Sequence, residues 1–130
     1  MDIRKMEKAV VDALKDIKAR EIVVLKVGHL SSLFERVIIA SGDSARQVKA
    51  LAHNVEDSLR KQGARVLSVE GAENGEWVLV DLGAIVVHVM QPAVRQYYNL
   101  EELWDQPEPK KPRAKPRARK KSTEARLAAG

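Results

Sequence analysis

Two β-branched runs on either side of Gly83-Ala84 constrain this chain more than any other feature. Runs 77–82 and 85–90 with a two-residue connection between them read as a β-hairpin. Glycine at the first turn position suits a type II′ turn, where φ must be positive. That register pairs Leu82 with Ile85, Val80 with Val87 and Val78 with Val89. Directly paired residues share a face, and side chains alternate along a strand. One face is therefore Val78, Val80, Leu82, Ile85, Val87 and Val89, all aliphatic. The other is Trp77, Leu79, Asp81, Val86, His88 and Met90, which mixes a ring, an acid, an imidazole and a thioether. The aliphatic face is a core face, and the mixed face has the makeup of a recognition surface. Four of the five aromatic residues, Trp77, Tyr97, Tyr98 and Trp104, fall in the hairpin or the helix expected to follow it.

The rest of the chain supplies layers for that hairpin. Ile3, Met6, Val10, Leu14 and Ile17 recur at helical spacing opposite a charged face. Segment 21–27 (EIVVLKV) reads as a strand, 29–35 as a loop and 36–40 as a second strand. Ser41-Gly42-Asp43-Ser44 offers an N-cap to a second helix with Val48, Leu51, Val55 and Leu59 inward, closed by Gly63. Segment 65–70 reads as a third strand, and Pro92 suits the first turn of a helix over 93–98. The order α-β-β-α-β-β-β-α implies an α/β domain with a mixed five-stranded sheet and helices packed on it.

Charge divides the 130 residues into two parts. Segment 107–130 holds nine Lys/Arg and two Glu, whereas residues 1–106 hold 14 basic and 16 acidic side chains. The overall +5 thus belongs to the tail. The domain is placed at 1–106. The Pro-, Lys-, Arg- and Ala-rich tail reads as a disordered basic arm, since it has too little apolar surface to offset its ordering entropy. Solubility and attraction to RNA phosphates are both open roles for it. No apolar run approaches the roughly 20 residues a bilayer crossing needs, and acids throughout 1–20 argue against a leader. A cytoplasmic protein is the expectation, with no membrane partner.

Reactive chemistry is sparse. There is no cysteine, so disulfides and thiolate metal sites are excluded. No Asp or Glu stands two residues from another, as a metal-clamping Asp-x-Asp strand pair requires. His29, His53 and His88 lack metal-ligand spacing. Ser41-Gly42 resembles a fragment of a phosphate-cradling turn, but a helix cap explains it more simply. No serine lies in a Gly-x-Ser-x-Gly elbow. The expectation is a protein that is not an enzyme and takes no cofactor.

At these residues the chain resembles a known family. Asp81-Leu82-Gly83, Val87-His88-Val89-Met90, and Arg95, Tyr98, Leu100, Glu101, Leu103 and Trp104 in their spacing are similar to the ribosomal silencing factors, the Iojap-related family. Ser31-Ser32, Val37-Ile38-Ile39, Gly42, Ser44, Arg46 and Glu70-Gly71 agree. The resemblance covers about residues 3–105. Ala84 stands where many relatives carry Asp, and the tail lies outside the shared pattern. The resemblance implies a nucleotidyltransferase-like fold without the active site. It also implies binding to the large ribosomal subunit through ribosomal protein uL-fourteen, which blocks joining of the small subunit and represses translation when nutrients are short.

The residues expected to contact the partner are Trp77, Asp81, His88, Met90, Arg95, Tyr98, Leu100, Glu101, Leu103 and Trp104. Trp, Tyr and Arg are the usual anchors of interfaces. Trp77 beside Met90 would make a polarizable platform, and Asp81 would meet a basic ribosomal surface. Arg95 and Tyr98, three apart, would share a helix face. His88 could instead bond a carboxylate such as Asp81. Leu100, Leu103, Trp104 and Tyr97 are divided between core packing and contact. A nucleotidyltransferase-like enzyme, a general RNA-binding protein driven by the tail, and a homodimer through a sheet edge or the mixed face are the competing readings.

Overall fold

The computed structural model describes residues 1–104. The basic tail expected at 107–130 lies outside the described residues. Helix α1 (Ile3–Asp16) is followed by strands β1 (Arg20–Lys26) and β2 (Arg36–Ser41), then helix α2 (Ala45–Lys61). Strands β3 (Ser68–Glu70), β4 (Trp77–Asp81) and β5 (Ile85–Met90) come next, and helices α3 (Pro92–Tyr98) and α4 (Leu100–Trp104) close the fold. The sheet order is β1-β2-β5-β4-β3. Only β2 and β5 run parallel; the other pairs are antiparallel, so the sheet is mixed as expected.

The hairpin register is the expected one: Trp77 faces Met90, Val78 faces Val89 and Val80 faces Val87. Gly83 has φ 89°, and its N–H donates to Asp81 Oδ1 at 2.9 Å. Ala84 acts through its backbone. Its carbonyl accepts from the N–H of Glu35 and of Arg36, which joins the hairpin tip to the start of β2.

The aliphatic face of the hairpin is buried together with Ile38 and Ala40 of β2. Its cover is the apolar stripe of α1 (Met6, Ala9, Val10, Ala13, Leu14) and that of α2 (Val48, Leu51, Ala52, Val55, Leu59). Fully burying an aliphatic side chain of this size stabilises by roughly 1.5–3 kcal/mol, so this layer dominates the energetics. The two helices run antiparallel and are tied by polar side chains. Asn54 Nδ2 donates to the Ala13 carbonyl at 2.8 Å, and Gln47 Nε2 donates to the carbonyls of Ile17 and Lys18.

Capping sets the helix starts. Asp2 accepts from the Arg4 N–H, and Ser44 Oγ accepts from the Gln47 N–H. The Gln47 side chain reaches back to the Asp43 N–H at 2.7 Å, so both ends of the turn are satisfied. Ser41-Gly42-Asp43-Ser44 is thus a helix entry. Three features differ from the sequence-based expectation. Strand β3 is three residues long, not six, because residues 65–67 make only one ladder-like bond, from Leu67 N–H to the Asp81 carbonyl. Strand β1 contains a bulge between Arg20 and Val23, where Glu21 takes φ 50°. Helix α3 ends at Tyr98 as expected, but beyond it Asn99 adopts the left-handed conformation at φ 48° and a further short helix, α4, follows that was not expected. Among the described residues no helix is long and apolar enough to cross a membrane.

Candidate protein-docking face

The face of the sheet opposite α1 and α2 is only partly covered. Paired register places Val23 and Leu25 of β1, Val37, Ile39 and Ser41 of β2, and Val86, His88 and Met90 of β5 on this side. Trp77, Leu79 and Asp81 of β4 and Ser68 and Glu70 of β3 complete it. Val27, Val37, Ile39 and Met90 form a second, smaller core. Val94 of α3 and Leu100 and Trp104 of α4 pack against it, together with Leu25, Phe34 and Trp77. Phe34 meets Trp104 edge-on, with ring centroids 5.5 Å apart. The two short helices cover one half of the mixed face. Leu79, Asp81, Val86 and Trp77 stay half-exposed on the other.

Along the boundary runs a chain of rings. The Trp77 indole N–H donates to His88 Nδ1 at 3.0 Å. The Trp77 ring lies 4.9 Å from that of Tyr98, and Tyr98 meets Tyr97 edge-on at 5.0 Å. Tyr98 is 55% exposed and Tyr97 82% exposed, so the row emerges from the core into solvent. An indole can only donate, so His88 Nδ1 carries the lone pair and the ring proton sits on Nε2. Burial pushes the His88 pKa down to about 4, which keeps the imidazole neutral.

Arg95 holds the cover in place. Its Nε donates to Glu101 Oε1 at 2.8 Å and a terminal nitrogen donates to Glu101 Oε2 at 3.1 Å, a two-pronged contact. The other terminal nitrogen donates to Ser41 Oγ at 2.8 Å. The guanidinium is buried (7% exposed), and its hydrogen bonds hold the Glu101 carboxyl below the usual carboxylate range. One side chain thus links α3, α4 and the end of β2.

These positions correct several expectations. Met90 is fully buried under α3 and α4, so the platform beside Trp77 is Tyr98 and not Met90. His88 is buried and bonds the indole, whereas Asp81 caps the hairpin turn. Arg95 and Tyr98 do not share an accessible face. Residues three apart on a helix differ by about 60° in direction, and here that angle separates an inward guanidinium from an outward ring. Glu101 is spent on Arg95. Leu100 and Trp104 pack inward, while Leu103 is 59% exposed. Trp77, Asp81, Tyr98 and Leu103 are therefore the expected contact residues that a partner can reach. Tyr97 joins them, as do Leu79 and Val86, whose place on the mixed face follows from the hairpin register. Leu33 and Phe34, in the loop before β2, carried no sequence signal.

The reachable surface is mostly acidic. At the mixed-face strand positions, in α3 and α4 and in the 27–35 loop, the Lys and Arg among the described residues are the buried Arg95 and, opposite Ser41 on the β1 edge strand, Arg20, which pairs with Asp43 at 3.0 Å. Glu35, Glu70, Asp81 and Glu102 belong to the same surface. Among the described residues no group of three His, Asp or Glu side chains could hold a metal ion. The arrangement offers rings, aliphatic groups and carboxylates to a partner.

A family model described as "Ribosomal silencing factor during starvation" matches residues 1–129. The chain belongs to the ribosomal silencing factor family. The match extends past the 3–105 span over which the resemblance was expected. Ribosomal silencing factor RsfS of Chromobacterium violaceum is 53% identical over 104 residues, covering 80% of this chain and 85% of that protein. A crystal structure of a Chromobacterium violaceum protein superimposes with a TM-score of 0.80 at 49% identity, covering 88% of this chain and 95% of the other. More distantly, the mouse protein "Mitochondrial assembly of ribosomal large subunit protein 1" is 32% identical over 97 residues, which cover 72% of this chain and 42% of the mouse protein. Family membership carries a role in translation regulation at the ribosome, and the family is named for silencing and not for a reaction.

Proposed function

We propose that this chain represses translation by docking its half-covered sheet face on ribosomal protein uL-fourteen of the large subunit. The docked protein occupies space the small subunit needs, so joining is blocked by volume alone and without turnover. One observation carries the reading: a Trp77–Tyr98–Tyr97 row that runs from the half-buried indole out to two exposed tyrosines, on a face that also offers Leu79, Val86 and Leu103 and is mostly acidic. Binding energy concentrates in such ring anchors. Half of a standard interface is roughly 800 Å², which one face of a domain this size can supply. The acidic rim suits a basic ribosomal protein surface, and the large subunit appears in the printed name of the mouse relative. Where the ribosomes are cytoplasmic, the protein acts in the cytoplasm.

Co-sedimentation with separated subunits tests this, followed by a subunit-joining assay. The full chain is expected to pellet with large subunits, to spare small ones and to inhibit joining. Tyr98→Ala and Trp77→Ala are each expected to weaken large-subunit binding by about 2 kcal/mol, roughly 30-fold. Undiminished pelleting of both variants would sink the assignment of this face.

A further inference from the structure

The one accessible Lys or Arg at the strand positions of the docking face is Arg20 on the β1 edge, already paired with Asp43, yet segment 110–121 of the same protein is strongly basic. Residues 110–121 read KKPRAKPRARKK, eight Lys/Arg in twelve positions with no acid. We propose that this run binds RNA phosphates next to the docked domain. The protein then grips its target with two contacts of opposite sign, an acidic ring-bearing face on protein and a basic run on RNA. The inference rests on the docking reading, because it takes the target RNA to be whatever lies beside the docked face.

Three observations support it. The first is chemical. The run has no aromatic and no apolar residue larger than Ala and Pro, so it has charge to offer and little else. Its three arginines carry planar forks that match phosphate oxygens in pairs. The second is positional. The described chain ends in α4, which packs at the edge of the docking face against Phe34. Five residues lie between Trp104 and Lys110, a span of at most about 20 Å. Docking therefore holds the run close to nearby phosphates at high effective concentration, and weak single contacts become useful. The third is numerical. The acids of the protein's own face are too few to occupy the run. Glu101 is committed to Arg95, which leaves Glu35, Glu70, Asp81 and Glu102 for eight cations. An RNA backbone supplies a charge at every nucleotide.

The test is a salt titration of large-subunit binding by the full chain and by a full-length variant with all eight Lys/Arg of 110–121 changed to Gln. Each phosphate neutralised steepens the plot of log affinity against log salt by about 0.7–0.9. The wild-type slope is expected to exceed that of the variant by several, with at least tenfold weaker binding by the variant at 50 mM salt and convergence at high salt. Protein-free large-subunit RNA serves as the second probe, with salt-sensitive binding by the wild type and none by the variant. Equal slopes and affinities would overturn the proposal. So would tighter binding by the Gln variant, which would mean that the run masks the chain's own acidic face. Trp77→Ala in the same titration separates the two readings: it is expected to lower affinity at unchanged slope. If Trp77→Ala binds like wild type while the Gln variant loses slope, the docking face is wrong and the RNA contact stands.

Discussion

Arg95 and Glu101 meet through two nearly parallel hydrogen bonds across the left-handed turn at Asn99. The pair is unequal: the Arg95 side chain is almost wholly enclosed, while a third of the Glu101 side chain reaches solvent. Removing the anion leaves a buried cation without compensation, whereas removing the cation leaves a carboxylate that can turn to water. Glu101→Ala is therefore expected to cost about 3 kcal/mol of stability, and Arg95→Met about 1 kcal/mol. Urea unfolding of the two variants checks this, and equal losses would contradict the asymmetry.

Met90 and Tyr98 separate stability from binding. Met90→Ala removes a fully buried side chain from the smaller core and is expected to cost about 2–4 kcal/mol of folding free energy. Its large-subunit affinity should stay near wild type under conditions where it remains folded. Tyr98→Ala is expected to do the reverse, changing the unfolding midpoint little while lowering affinity. Denaturant midpoints measured beside subunit affinities distinguish them.

His88 makes stability pH-dependent. Its folded pKa is pushed by burial down to about 4, from an ordinary 6.5. Below 6.5 the unfolded chain takes up a proton that the folded chain refuses. The stability is thus complete above about 6.5, declines as pH falls toward 4, and then levels off. The change is on the order of 3 kcal/mol. Protonation also removes the lone pair that receives the Trp77 indole N–H. His88→Phe is expected to flatten the pH profile between 6.5 and 4 in urea unfolding followed by Trp fluorescence. Glu101, whose pKa is lowered, acts at more acid pH: its contribution is lost as pH falls through its own depressed value.

Gly71 positions Trp77 from behind. It sits at φ 86°, and a Cβ there would come within 2.2 Å of the Trp77 carbonyl oxygen. Since the obstacle is backbone, β4 must shift at the residue that bears the indole. Gly71→Ala is expected to destabilise by about 2–4 kcal/mol and to alter Trp77 emission even in the folded protein. Unchanged emission with unchanged stability would show that the strand end yields freely.

The hairpin was legible because its information is local. Register follows from one turn and a period of two, so Trp77 opposite Met90 and the two faces could be read directly. The stripes of α1 and α2 were legible for the same reason. What covers the mixed face was not, because it depends on Asn99. An ordinary residue taking φ 48° ends α3 and lets Glu101 return to Arg95. Nothing in the spacing of Arg95, Tyr98, Leu100 and Leu103 announces that reversal. It decided which residues are accessible: Leu103 points out while Leu100 and Trp104 point in. Charge, too, was only half legible, since the Arg95 guanidinium proved to be an internal brace.

The parallel pairing of β2 with β5 has a consequence for synthesis. Arg36–Ser41 finds its partner only when Ile85–Met90 exists, and the lid of α3 and α4 comes later still. Such distant pairing is slow to form. A chain emerging from a ribosome can assemble α1, β1 and β2 early, but it cannot display the ring row until almost the whole domain has left the tunnel. On the docking proposal, a half-made copy is thus unable to inhibit the machine that is making it.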